Sequence, residues 1–169
     1  ANDAIVDVSA GGGGSIAITA RNLTITGVGT QAQAGISAGL GTMGAQAGNI
    51  DINTTEIVSL NASRVLNRIF PGGIGNTGDI RITTGSLFLT NGGLVIAGTF
   101  GQGDVGNITI KARDAVSFDG VSSNGFSSGA DSSVNPGSVG QGGNISITTG
   151  KLSLSNGAVV GAGTVGRGN

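Results

Sequence analysis

One short signature recurs five times in this chain and restricts its fold more than any other feature. It reads glycine, a polar residue, isoleucine, any residue, then a second hydrophobic residue. The copies are Gly14-Ser15-Ile16, Gly48-Asn49-Ile50, Gly78-Asp79-Ile80, Gly106-Asn107-Ile108 and Gly143-Asn144-Ile145. Each leading Ile is followed two residues later by another, at Ile18, Ile52, Ile82, Ile110 and Ile147. Alternation with a period of two marks a half-buried strand. The leading isoleucines stand 34, 30, 28 and 37 residues apart. An internal repeat of that length indicates units that bury their hydrophobic faces by stacking on one another.

A second strand is expected in each copy after a turn of about four residues. Its inward residues begin seven positions after the leading Ile at Leu23/Ile25, Leu87/Leu89 and Leu152/Leu154, and eight positions after it at Val58/Leu60 and Val116/Phe118. The two types alternate, so the underlying unit is a pair of copies about 58 to 65 residues long. A third, weaker strand is legible from Leu94 to Phe100 and from Val159 to Val165. Three short strands in 28 to 37 residues describe one coil of an all-β parallel β-helix, or β-solenoid. About five coils are expected, starting near residues 14, 48, 78, 106 and 143, with 1–169 a single segment of a longer solenoid. The absence of a six-residue hydrophobic period argues against the left-handed hexapeptide solenoid.

Composition agrees with this geometry. Of 169 residues, 35 are glycine, while Trp, Tyr, His and Cys are absent. Glycine turns tight corners without steric strain, and a narrow interior favours Ile, Val and Leu over bulky aromatics. The isoleucines at 16, 50, 80, 108 and 145 are therefore expected to form one stacked core ladder. Polar residues beside the corners suggest two further ladders: Ser15, Asn49, Asp79, Asn107 and Asn144 in one, and Asn61, Asn91, Asp119 and Asn156 in the other. Stacked Asn side chains can bond one another or the turn backbone. Without His or Cys, catalysis by those residues, zinc sites built on them and disulfides are excluded. A net charge of −1 without basic runs offers nothing to nucleic acid, and no apolar run is long enough for a membrane span.

Repeat lengths differ at the third corner, where loops are expected at 62–71 and 121–140. Loops on a solenoid flank often carry binding surfaces. Arg64 and Arg68 in the first loop, with Phe126 and Asp131 in the second, are the candidate partner-binding residues. Other motifs point nowhere specific. Gly101-Gln-Gly103-Asp-Val-Gly106 fits a dinucleotide pattern but leads into a strand instead of a helix, so no nucleotide is expected. The stretch from Gly72 to Asp79 is close to a calcium-binding nonapeptide, yet its Asp falls two positions late and nothing repeats at nine residues. No cofactor or metal is expected, and calcium at this loop would be incidental. Glu56 and Asp114 share a corner position two coils apart, about 9.6 Å by strand spacing. With no Trp or Tyr to stack on a sugar ring and no cleft in view, no enzyme and no catalytic residues are expected.

The stretches GNITIKARDAVSFDGVSSNGFSSG (Gly106 to Gly129) and GGNISITTGKLSLSNGA (Gly142 to Ala158) resemble the repeats of large cyanobacterial exoproteins similar to filamentous haemagglutinin. That family carries a haemagglutination-activity domain and uses two-partner secretion. The resemblance implies a right-handed β-helix stalk, secreted through an outer-membrane partner and displayed at the cell surface as an adhesin or filament. A stalk that presents loops or a distal domain is the leading expectation, and a glycan- or protein-binding module acting through the two corner loops is the alternative. Expected partners are further coils of the same polypeptide at both ends, the secretion partner, and a surface glycan or a laterally associated copy.

Overall fold

In the computed structural model, residues 5–9, 13–27, 34–41 and 46–168 are described. Alternating Ile-x-Ile segments bury one side chain in two, and the backbone between them stays extended. Twelve strands result among the described residues: β1 (Ile5–Asp7), β2 (Ile16–Thr26), β3 (Gly35–Leu40), β4 (Ile50–Asn61), β5 (Arg64–Ile69), β6 (Ile80–Thr90), β7 (Leu94–Thr99), β8 (Ile108–Asp119), β9 (Gly129–Val134), β10 (Ile145–Thr149), β11 (Leu152–Ser155) and β12 (Val159–Thr164). They make two sheets in which every pairing between named strands is parallel. Sheet A runs β1-β3-β5-β7-β9-β12, and sheet B runs β2-β4-β6-β8-β10 with β11 also on β8. From β2 to β9 successive strands alternate between the sheets, so each pairs with a strand one repeat away.

Register places like residues over like. Ile16, Ile50, Ile80, Ile108 and Ile145 form one column across sheet B. Leu23, Val58, Leu87, Val116 and Leu152 form another. Sheet A faces them with Ile36, Val65, Val95, Ala130 and Val160 in one column. Ile50, Ile80, Ile108, Leu87 and Phe118 are completely shielded from solvent. Among the described residues the outer layers are partly exposed: Leu152 and Leu154 are 49% and 44% exposed in the last, and a recess of about 340 Å³ lies between Val6, Ile18, Leu23 and Ile36 in the first.

The structure corrects the strand count within a repeat. No four-residue turn separates the first two strands in the repeats of β2, β4, β6 and β8; each is one continuous strand of 11 or 12 residues. The alternation of seven and eight positions is a bulge: between matched pairs, Thr55 and Glu56 stand opposite Arg21 alone, and Arg113 and Asp114 opposite Gly85 alone. One extra residue bends a strand without ending its ladder. Beneath the bend, buried Thr54 and Thr84 join hydroxyls at 2.7 Å.

A second correction concerns the corner loops. Most of 62–71 is strand β5, and 129–134 of the expected second loop is strand β9. Their inward residues are Val65, Asn67, Ile69 and Ala130, Ser132, Val134. A polar residue at the centre of each hides the hydrophobic alternation. Its hydrogen bond makes burial tolerable: the Asn67 amide donates to the Gly48 carbonyl at 2.8 Å and the Ser132 hydroxyl to the Gly106 carbonyl at 3.3 Å. Of the rest, 121–128 is a small hairpin, with Val121 bridged antiparallel to Ser127, and 135–140 stacks through Val139, bridged in parallel to Gln102 and Arg167.

The polar columns also differ from each other. In the first, each side-chain oxygen accepts the backbone N–H one layer on: Asp79 from Asn107 at 2.8 Å, Asn49 from Asp79 and Asn107 from Asn144 each at 2.9 Å, and Ser15 from Asn49 at 3.2 Å. The second expected ladder is two columns. Asn61 and Asp119 align with Thr90 and Ser155, while Asn91 and Asn156 sit one residue later, at φ of 52° and 51°. The pairs therefore meet diagonally, Asn91 donating to Asn61 at 3.0 Å and Asn156 to Asp119 at 2.7 Å.

Candidate interaction face

Strand alternation sends Arg64, Leu66 and Arg68 of β5 outward, and the same parity sends out Leu94 and Ile96 of β7 and Asp131 of β9. Register aligns Arg64 with Leu94 and Gly129, Leu66 with Ile96 and Asp131, and Arg68 with Gly98 and Ser133. Asp7 of β1 falls in the row of Leu66, Ile96 and Asp131. This outer face of sheet A thus has an aliphatic centre, cations on one strand and an acid two strands away.

The two arginines are fixed by aromatic rings. The Arg64 guanidinium carbon lies 4.5 Å from the centre of the Phe126 ring, and that of Arg68 lies 4.6 Å from the Phe70 ring. A guanidinium over an aromatic face gains from the ring quadrupole. Phe126 is brought there by the hairpin: Ser122 N–H donates to the Phe126 carbonyl at 2.8 Å, and Phe126 N–H donates to Ser122 Oγ at 3.0 Å. Gly92 lets the hairpin lie close, because a Cβ there would stand 2.7 Å from the Ser122 Cβ. Burial, followed by the like charge of Arg68, holds the Arg64 guanidinium below its ordinary pKa. Among the described residues no carboxylate lies within ion-pairing distance of Arg64 or Arg68. Phe100 and Phe126 remain 44% and 47% exposed.

Of the four residues singled out from the sequence, Arg64 and Phe126 touch, and Arg68 shares their face. Asp131 contacts neither arginine and instead accepts the Ser133 hydroxyl at 2.7 Å. Sequence reasoning missed Leu66, Phe70, Ile96 and Phe100, although their odd-even spacing within Arg64–Phe70 and Leu94–Phe100 carried the signal.

Sheet B treats its charges differently. Arg21 pairs with Glu56 at 2.6 Å, Arg113 with Asp114 at 2.7 Å, and Arg81 with both Asp51 and Asp79. The Arg21 guanidinium, helped by the Asn22 amide, holds the Glu56 carboxyl below its ordinary pKa, and Arg113 does the same for Asp114. The Ser155 hydroxyl and then the Asn156 amide lower Asp119. Glu56 and Asp114 are thus each ion-paired to an arginine. The glycines of 101–106 lead into β8, and Gly103, at φ 137°, turns a corner where a Cβ would strike the Gly75 carbonyl. Among the described residues there is no cluster of three acidic, His or Cys side chains suited to a metal, and no helix long and apolar enough to cross a membrane.

No family model, no curated protein and no solved structure matches the chain.

Proposed function

We propose that the chain is a structural segment of an extracellular adhesin or cell-surface filament. In this reading it is a right-handed parallel β-helix of about five coils, each of 28 to 37 residues and three short strands. The two arms of every bulged strand count separately. Its role is mechanical: a stiff stalk that holds loops or a distal domain away from the cell. The observation that carries the reading is the unbroken parallel register of Ile16, Ile50, Ile80, Ile108 and Ile145. Stacking at ~4.8 Å per layer lengthens a body without changing its cross-section, as a spacer requires. Right-handedness is supported by the hand that nearly all parallel crossovers take.

Further coils of the same polypeptide at both ends belong to this reading, and the exposed Leu152 and Leu154 of the last described layer are side chains that another coil would cover. Secretion through an outer-membrane partner rests on the repeat resemblance. The ion-paired state of Glu56 and Asp114 supports a non-enzymatic role.

Excising Ile80 to Asn144, one pair of repeats, tests the stalk. The shortened chain should stay folded and lose roughly 10 Å of length in small-angle scattering. Cells displaying it should still adhere; loss of adhesion with the shortened rod intact overturns the stalk role. A second reading, a module that binds a glycan or a protein, is favoured by the unpaired charges of Arg64 and Arg68 among the described residues. Replacing both by Ala leaves adhesion unchanged for a spacer and abolishes it for a binding module.

A further inference from the structure

We infer that the outer face of sheet A is a pairing surface for a second copy of this chain, laid face to face with its own sheet A. The pairing rests on the binding reading of this face and is independent of the stalk reading. The face carries a pattern that complements itself. Arg64 and Arg68 stand on β5, Asp131 stands on β9, and between them β7 presents only Leu94, Ile96 and Gly98. An isologous contact requires that what one copy offers, the other accepts, and conversely.

Two in-plane axes are simple, and the charges choose between them. An axis along the stacking direction lays β5 over β5 and sets arginines against arginines. An axis parallel to the strands and passing over β7 lays β5 of each copy over β9 of the other. Arg64 and Arg68 then bracket the second copy's Asp131, two residues or about 6.6 Å along the strand from each. Leu94 and Ile96 meet their own counterparts on the axis, where burial of apolar area supplies the attraction. Asp7, at the far edge of sheet A, lies outside the overlap.

The extent of the face sets the strength. The five strands that overlap, each of about six residues, cover roughly 24 by 20 Å. Both copies together bury on the order of 1,000 Å², the size of a weak or transient pairing. Association in the micromolar range or weaker is the expectation. The exposed rings of Phe100 and Phe126 and the arginines beside them are residue types that interfaces concentrate, while the half-buried Leu94 and Ile96 supply apolar area.

Sedimentation equilibrium of the 169-residue chain, from about 10 µM to about 1 mM, should show a reversible monomer–dimer equilibrium. Arg64→Glu with Arg68→Glu should weaken the dimer at least tenfold, as should Asp131→Arg. The triple variant combining all three should recover to within about threefold of the parent. Circular dichroism and the unfolding midpoint establish that each variant is folded. The chain contains no cysteine, so Ile96→Cys gives a clean reporter: a short bis-maleimide should join two copies through it and should fail with Ser37→Cys. A chain that is monomeric throughout, or a dimer indifferent to these charge changes, overturns the proposal. Sodium polygalacturonate separates the two failures. If the chain stays monomeric but binds this polyuronate through Arg64 and Arg68, the pairing falls and the binding face stands; if it does neither, both fall.

Discussion

The two outer faces of the stack hold arginine in opposite ways. On sheet B, Arg21, Arg81 and Arg113 each meet a carboxylate. On sheet A, Arg64 and Arg68 lie over phenylalanine rings, and the acid of that face stands two strands away across an aliphatic strip. Exposed ion pairs add little to stability, so the sheet B pairs chiefly neutralise their own arginines, and Lys111 of β8 is an exposed cation of that face with no ion pair among the described residues. Sheet A instead combines separated charges with half-buried Leu and Ile, the arrangement on which the proposed pairing rests. Two sheets over one core thus place their arginines by different rules: carboxylates on one side, aromatic rings on the other.

The comparison can be broken first from beneath. Both faces rest on the same interior, so Ile80→Ala under sheet B and Val95→Ala under sheet A should cost about 3 and about 2 kcal/mol respectively, measured by denaturant unfolding. A large loss under one sheet only would mean that the two are not one cooperative unit. Next, Thr84→Val removes a buried hydroxyl that bonds Thr54 and lies 3.2 Å from the Glu56 carbonyl. The expected loss is about 1–2 kcal/mol, because Thr54 keeps a buried polar atom without its partner. At the corner between the sheets, Asn91→Ala should cost about 1 kcal/mol, since its φ of 52° suits Asn and Gly. Asn91→Gly should be close to neutral in the same assay.

Acid sharpens the contrast between the faces. Glu56, Asp114 and Asp119 bind protons less readily in the folded chain than in the unfolded one. Their contribution is therefore complete above the ordinary carboxylate range and is lost as pH falls through their lowered native values. The unfolding temperature should hold down to about pH 5 and decline below about pH 4. Glu56→Gln should flatten that decline, and Arg64→Ala should leave its slope alone. The smallest effect is Arg64→Ala itself, at most about 1 kcal/mol of stability, read from the unfolding midpoint.

Much of sheet B was legible in the sequence because its inward residues are aliphatic and strictly alternating. Ile16 through Ile145, and the outward row Ala17, Asp51, Arg81, Thr109 and Ser146, follow from counting alone. Sheet A was legible at Leu94–Thr99 and Val159–Thr164 and, as the end of a strand, at Ile5–Val8. In β5 and β9 the middle inward residue is Asn67 or Ser132, so polarity suggested a loop where the chain is extended. The second Asn ladder failed for a related reason. Asn61 precedes the corner residue of its repeat and Asn91 occupies it, a one-residue offset that composition cannot reveal. Asp131 was grouped with Arg64 because both were read as corner-loop residues, yet strand β7 lies between their strands.

By itself the sequence determined that five similar units bury isoleucine every second residue, since the strand period and the repeat length are written in the order of the side chains. Only the tertiary structure decided that Arg64 meets Phe126, 62 residues further along, and that Arg68 and Arg81 differ in fate. Contacts between repeats depend on register and on which way each strand faces the other sheet. Neither quantity is local, because one extra residue at a bulge or a polar residue in an inward column shifts both.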